Sequence, residues 1–172
     1  DIFVFIDDDV SWEPEALLKL IQTPGDVVGG TYRCKEDELN YMGRILQDKD
    51  GFPTSMRADG CIECSCLPAG FLKITKEAVF KFMVDYPELC YGPPWDYAVD
   101  LFNHGAHKGL WWGEDYAFCR RWRDKGGQVW LVPDLNIDHN SRTDDRVYKG
   151  NFHQYMLAQP GGINDLPKPS AP

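Results

Sequence analysis

The chain has 172 residues, 43% of them hydrophobic and 13% aromatic, enough for one domain with a real core. Its net charge of −9 argues against nucleic acid or an anionic membrane surface as a general partner. No apolar run approaches the length of a membrane span, and no signal peptide is visible.

In chain order, "IFVFI" (2–6) is a continuous apolar run, which predicts a strand buried on both faces, as in a parallel sheet. It leads directly into Asp7, Asp8 and Asp9. Trp12-Glu13-Pro14 starts a helix, with Pro14 in its first turn and Leu17, Leu18 and Ile21 on one face. Pro24-Gly25 ends it, and "DVVGGTY" (26–32) predicts a second strand. Residues 35–60 are polar, with "DKDG" as a turn signal, and read as a hairpin or a mobile loop. "CIECSCL" and "GFLKI" are strand-like, and "TKEAVFKFMVDY" (75–86) is a helix capped by Thr75. Residues 87–95 hold three prolines and are expected to be irregular. "EDYAFCRRWRDKGG" (114–127) is an amphipathic helix stopped by Gly126-Gly127. "QVWLV" is a strand; after Asn140 the pattern weakens, and the Pro-rich end reads as a tail. The expected organisation is one α/β domain over 1–159 with an irregular second half, then a tail over 160–172.

The six cysteines include C-x-x-C-x-C at Cys61, Cys64 and Cys66. A zinc site usually takes four ligands in two close pairs. Along a strand, Cys64 and Cys66 share a face while Cys61 opposes them. Reduced thiols in a cytoplasmic protein are therefore favoured over a structural metal or the disulfides of a secreted chain.

Three stretches carry chemistry. Ligands of open α/β sheets bind outside the carboxyl ends of strands, where Asp7, Asp8 and Asp9 lie. In extended chain Asp7 and Asp9 point the same way, a hard-oxygen pair suited to Mn²⁺ or Mg²⁺; a turn-and-cap cluster is the bland alternative. Glu114-Asp115 follows Trp111 and Trp112. Carboxylates at a helix start can simply favour its dipole, but aromatics beside them suit sugar stacking. His139 follows the last strand; a lone His is more often structural, yet imidazole is a common metal ligand.

Taken in order, these stretches resemble nucleotide-sugar glycosyltransferases of the GT-A fold. "FIDDDVSWEPEALLKLI" is similar to their D-x-D strand and helix, and "PAGFLKITKEAVF" to their acceptor loop with its following strand and helix. "WWGEDYAFCRRWRDKGGQVWLVPDLNIDHNS" resembles the Glu-Asp helix and metal-ligand strand of inverting, family-two-like members. The resemblance covers roughly residues 1–140 and implies a mixed sheet flanked by helices. It assigns metal contacts to Asp7, Asp9 and His139, and donor contacts to Asp7 and Asp8. Asp115 would be the general base, supported by Glu114. Trp111, Trp112, Gly70 and Phe71 would meet the acceptor. The implied cofactor is Mn²⁺ or Mg²⁺; the donor is a UDP- or GDP-type sugar and the acceptor a carbohydrate or other hydroxyl. The βα units that precede D-x-D in such folds do not precede Asp1, so the expectation is an N-terminally truncated GT-A-like domain. Two other classes compete: a degenerate sugar- or nucleotide-binding module, and a nucleotidyl- or phosphoryl-transfer enzyme, whose two-metal site would need more converging carboxylates.

Overall fold

The computed structural model describes residues 1–158. Its elements are β1 (Ile2–Ile6), β2 (Val10–Trp12), α1 (Pro14–Gln22), β3 (Val27–Gly29), β4 (Arg44–Ile45), β5 (Ile62–Cys66), β6 (Phe71–Thr75) and α2 (Lys76–Asp85). After a 3₁₀ turn at Pro87–Leu89 come β7 (Cys90–Tyr91), β8 (Ala98–Val99), β9 (Gly105–His107), β10 (Leu110–Trp112) and α3 (Glu114–Asp124). The last are β11 (Val129–Leu131), β12 (Ile137–Asn140), β13 (Val147–Tyr148) and α4 (Phe152–Ala158).

Six strands form a mixed sheet in the order β1-β6-β3-β11-β5-β4. Only β3 and β11 run parallel in it; the other neighbours are antiparallel. Alternation along the strands divides the interior into two cores. Val27, Leu72, Ile74, Val129 and Leu131 pack with Phe82 of α2 and with Phe118 and Trp122 of α3. Val28, Phe71 and Trp130 belong to the other core, with Ala16 and Leu20 of α1. Lys73 is buried, and its ammonium bonds the Ile21 and Thr23 carbonyls, which α1 leaves without partners at its end. Thr75 caps α2 by accepting from the Ala78 amide at 3.2 Å.

Several expectations change. β1 is an antiparallel edge strand, not a central parallel one, and Phe3 is 47% exposed; an apolar run does not by itself distinguish centre from edge. Trp12 belongs to β2, so α1 enters from a strand, and Ala16 and Leu20 form its buried face while Leu18 and Ile21 are exposed. Of the two alternatives for the polar segment, residues 41–63 take the hairpin. Gln47 bridges Pro53 and Met56 bridges Ile62, the Asp48 carboxylate accepts from the Asp50 and Phe52 amides, and Gly51 takes a positive φ of 88°. The helix α4 was not anticipated. The 160–172 tail lies outside the described residues.

Cys64 and Cys66 sit in one core and Cys61 in the other. All six cysteines are free. Burial pushes the Cys61 and Cys119 thiols up to about 12 and Cys64 well above its ordinary value, so they act as small protonated hydrophobes. Among the described residues no helix is long and apolar enough to cross a membrane.

Candidate active site

The acidic run leaves β1 at Ile6 and turns at once. The Asp7 amide donates to the Gly70 carbonyl at 3.1 Å, and the Val10 amide to the Asp7 carbonyl at 3.2 Å. β2 then joins a separate three-stranded sheet, β13-β12-β2, in which Val10 faces His139. The Asn140 amide donates to the Asp9 carbonyl at 2.7 Å, and the Asn140 side chain to the same oxygen at 3.1 Å. These bonds fix Asp9 beside His139, with Asp9 Oδ1 at 3.7 Å from Nε2.

His139 Nδ1 lies 2.7 Å from the Arg33 carbonyl oxygen. A carbonyl only accepts, so Nδ1 carries a proton, and in the neutral ring Nε2 presents its lone pair toward Asp9. Asp9 Oδ1 and this nitrogen have the chemistry and spacing to share one divalent ion, whose bonds are about 2.1 Å.

The positive charge that the acidic run needs comes from Lys35 and Arg142. Lys35 Nζ is 2.6 Å from Asp9 Oδ2. Arg142 pairs with Asp8 and places Nε at 3.7 Å from Asp9 Oδ2. Burial alone would raise the Asp9 pKa, but the Lys35 hydrogen bond and charge, with His139 and Arg142, outweigh it and hold the carboxyl below its usual value. Beside Asp9 opens a cavity of about 400 Å³ lined by Lys35, Ser141, Arg142, Thr143, Asp144, Arg146 and Tyr148.

Asp7 does not join Asp9. Its Oδ2 accepts from the Tyr32 hydroxyl at 3.3 Å. Tyr32 is 2% exposed, and its ring meets His139 edge-on with centroids 4.8 Å apart. Among the described residues no three His, Cys, Asp or Glu side chains converge on one point. The expected set of Asp7, Asp9 and His139 therefore contracts to Asp9 and His139, because the chain has left the strand at Ile6 and alternation no longer orders the acids. A Cβ on Gly70 would overlap the Tyr32 hydroxyl and the Asp7 carboxylate, so a larger residue here must displace that pair. Asp8 is exposed and engaged by Arg142.

Glu114 and Asp115 open α3 behind Gly113. Glu114 is exposed; Asp115 is half-buried, and its Oδ1 accepts from the Tyr116 amide at 2.8 Å. The Ala69 amide also points to the Asp115 carboxylate, so the Ala69-Gly70 loop touches both Asp115 and Asp7. Burial first, then the Glu114 charge, raises the Asp115 pKa despite these bonds. Trp112 lies under Arg120, 5.4 Å from ring to guanidinium, with its Nε1 buried and unpartnered. Trp111 is 72% exposed beside His104. Phe71 is fully buried and packs on Trp12; its side chain cannot meet an acceptor, and only Gly70 of that pair borders the site.

Tyr32, Lys35 and Arg142 were not foreseen. The first two follow β3 in "TYRCK", at the same carboxyl-end position that flagged the aspartates. Arg142 lies three residues beyond His139. No family model and no curated protein matches the chain. Among solved structures it is similar to A197 from STIV, at 17% identity over 89% of this chain and 68% of that chain, with a TM-score of 0.46. A likeness at that level leaves function to be argued from the residues.

Proposed function

We propose that the chain is a metal-dependent glycosyltransferase of GT-A-like architecture that transfers a sugar from a nucleoside-diphosphate donor to an acceptor hydroxyl with inversion. The observation that carries this reading is the division of labour between two carboxylates. Asp9, beside the Nε2 of His139, has its pKa lowered by the surrounding cations; Asp115, across the Ala69-Gly70 loop, has its pKa raised by burial. Carboxylates whose environments push their pKa values apart are the usual signature of separate binding and acid–base roles.

Asp9 and His139 would hold Mn²⁺ or Mg²⁺, which when bound neutralises charge on the departing diphosphate. Asp115 accepts the proton of the acceptor hydroxyl as its oxygen bonds to the anomeric carbon. The bond from that carbon to the phosphate oxygen breaks from the opposite side, and its electron pair leaves with the nucleoside diphosphate. Trp111 offers an exposed ring face to an acceptor sugar, with Trp112 held beneath Arg120 next to it, and Glu114 raises the basicity of Asp115 through its charge.

Two-metal phosphoryl or nucleotidyl transfer is less well supported, because it needs several convergent acids and none of the described acids form such a group. The test is release of UDP or GDP from nucleotide sugars by the full-length chain with Mn²⁺. Turnover that Asp9→Ala and Asp115→Asn both abolish, with an inverted anomer by NMR, is expected; a retained anomer would refute the single-displacement scheme. Specific donor binding with no turnover would favour a binding module instead.

A further inference from the structure

We propose that Lys35 and Arg142 are resident counter-cations of Asp9 that transfer to the donor's diphosphate, so that metal ion and phosphates enter the site as one exchange. The proposal rests on the glycosyl-transfer reading, but it makes a separate claim about how the site fills.

Asp9 has two oxygens with different neighbours. Oδ1 faces His139 Nε2 at 3.7 Å; Oδ2 holds the Lys35 ammonium at 2.6 Å and has Arg142 Nε at 3.7 Å. A divalent cation bound at Oδ1 would meet two like charges a few ångströms away, across a partly buried carboxylate. That repulsion weakens the metal until the two cations find other partners.

The partners have a place to bind. The cavity of about 400 Å³ beside Asp9 is lined by Lys35, Arg142 and Arg146, by Ser141 and Thr143, and by the carboxylates of Asp9 and Asp144, which the three cations outnumber. Three cations around one cavity suit a diphosphate, through the planar fork of arginine and the flexible stem of lysine. The cations can also move. Arg142 and Arg146 are 65% and 56% exposed along their side chains. Arg142 sits on the turn between β12 and β13, which is closed by the Ser141 amide donating to the Arg146 carbonyl at 2.8 Å. Arg146 is now spent on the surface acids Asp37 and Asp144, and such exposed pairs are worth little. An arriving diphosphate can therefore draw all three cations off carboxylates without leaving a buried charge unpaired, while Asp9 becomes free for the metal.

The test uses the full chain and two separate probes: Mn²⁺ alone, followed by the loss of its free EPR signal, and inorganic pyrophosphate alone, followed by equilibrium dialysis with chelator present. Lys35→Ala should tighten Mn²⁺ and weaken pyrophosphate, each by roughly three- to tenfold, the scale of one partly buried ion pair. Arg142→Ala should move both in the same directions. Lys49→Ala, on the far hairpin, should move neither. The opposite signs are the signature, because a merely structural role would weaken both ligands together. Unchanged or weaker Mn²⁺ binding in Lys35→Ala, unchanged pyrophosphate binding, or equal shifts in Lys49→Ala would overturn the exchange. Asp9→Ala separates the two claims. If Asp9→Ala loses Mn²⁺ while Lys35→Ala shifts nothing, the metal site stands and the exchange falls. If Mn²⁺ binds Asp9→Ala and His139→Ala as well as wild type, the metal reading and the exchange built on it both fall.

Discussion

The surroundings of Asp9 and of Asp115 are built by opposite means. Asp9 lies in a turn that long-range pairing has fastened: β2 to β12, Asn140 to its carbonyl, and cations around its carboxylate. Asp115 stands at the start of a helix, half-buried, with backbone amides but, among the described residues, no cation in its contacts. Beyond it the aromatic hairpins are short and exposed. The Asp9 carboxylate is ringed with opposite charge, and the Asp115 carboxylate is kept from full solvation. The Asp9 side is fixed by backbone bonds between β2 and β12.

The largest expected effect removes the proton acceptor. Asp115→Asn should lower kcat by about 10²–10⁴-fold, the usual contribution of a positioned base, while Mn²⁺ affinity stays near wild type. Equal loss of both would erase the distinction between the two sites. Next in size is Gly70→Ala, which drives a methyl group into the Tyr32 hydroxyl and the Asp7 carboxylate. A loss of about 1–3 kcal/mol, the common range for overpacking, should appear as a lower urea midpoint with unchanged m-value. Trp111→Ala should leave stability within about 0.5 kcal/mol and raise the acceptor KM several-fold without altering donor affinity.

The smallest effects lie in the pH dependence of stability, and their signs differ. The folded pKa of Asp9 is below its ordinary 3.8. Its contribution is complete above that value and is lost as pH falls through the lower folded pKa. The folded pKa of Asp115 is above 3.8. Stability therefore declines as pH rises from 3.8 through the raised value, and the decline persists at neutral pH. Urea melts should show Asp115→Asn more stable than wild type at pH 7 and equal to it below the ordinary Asp pKa. Asp9→Asn should be less stable at pH 7 and converge with wild type in acid. Matching slopes for the two variants would refute the contrast.

Local pattern revealed the parts of this site that follow one segment's own chemistry. The Glu-Asp start of α3 and the Thr75 cap were legible from neighbours within a few residues, and the acidic run and His139 were marked as candidates in the same way. Tyr32 was not, since its role comes from a ring packed against His139 and a hydroxyl on Asp7, both distant in sequence. Lys35 and Arg142 carry no local signal, because only tertiary pairing brings them to Asp9. The strand β2 was hidden because "VSW" next to Glu13-Pro14 also suits a helix entrance, and only β12 makes it a strand. The same blindness to partners moved the buried face of α1 and made β1 look central.

The position of β11 has a consequence for how the chain acquires this shape. It is inserted between β3 and β5, and its parallel partner β3 lies about a hundred residues earlier, Val27 opposite Val129. During synthesis β3 and β5 emerge with a strand-wide gap between them, and both hydrophobic cores stay open until residues 129–131 arrive. Parallel pairing over such a separation is intrinsically slow, and the unpaired edges of β3 and β5 are adhesive in the interval. Nascent chains stopped before β11 should remain protease-sensitive throughout, and those carried past it should become resistant in one step.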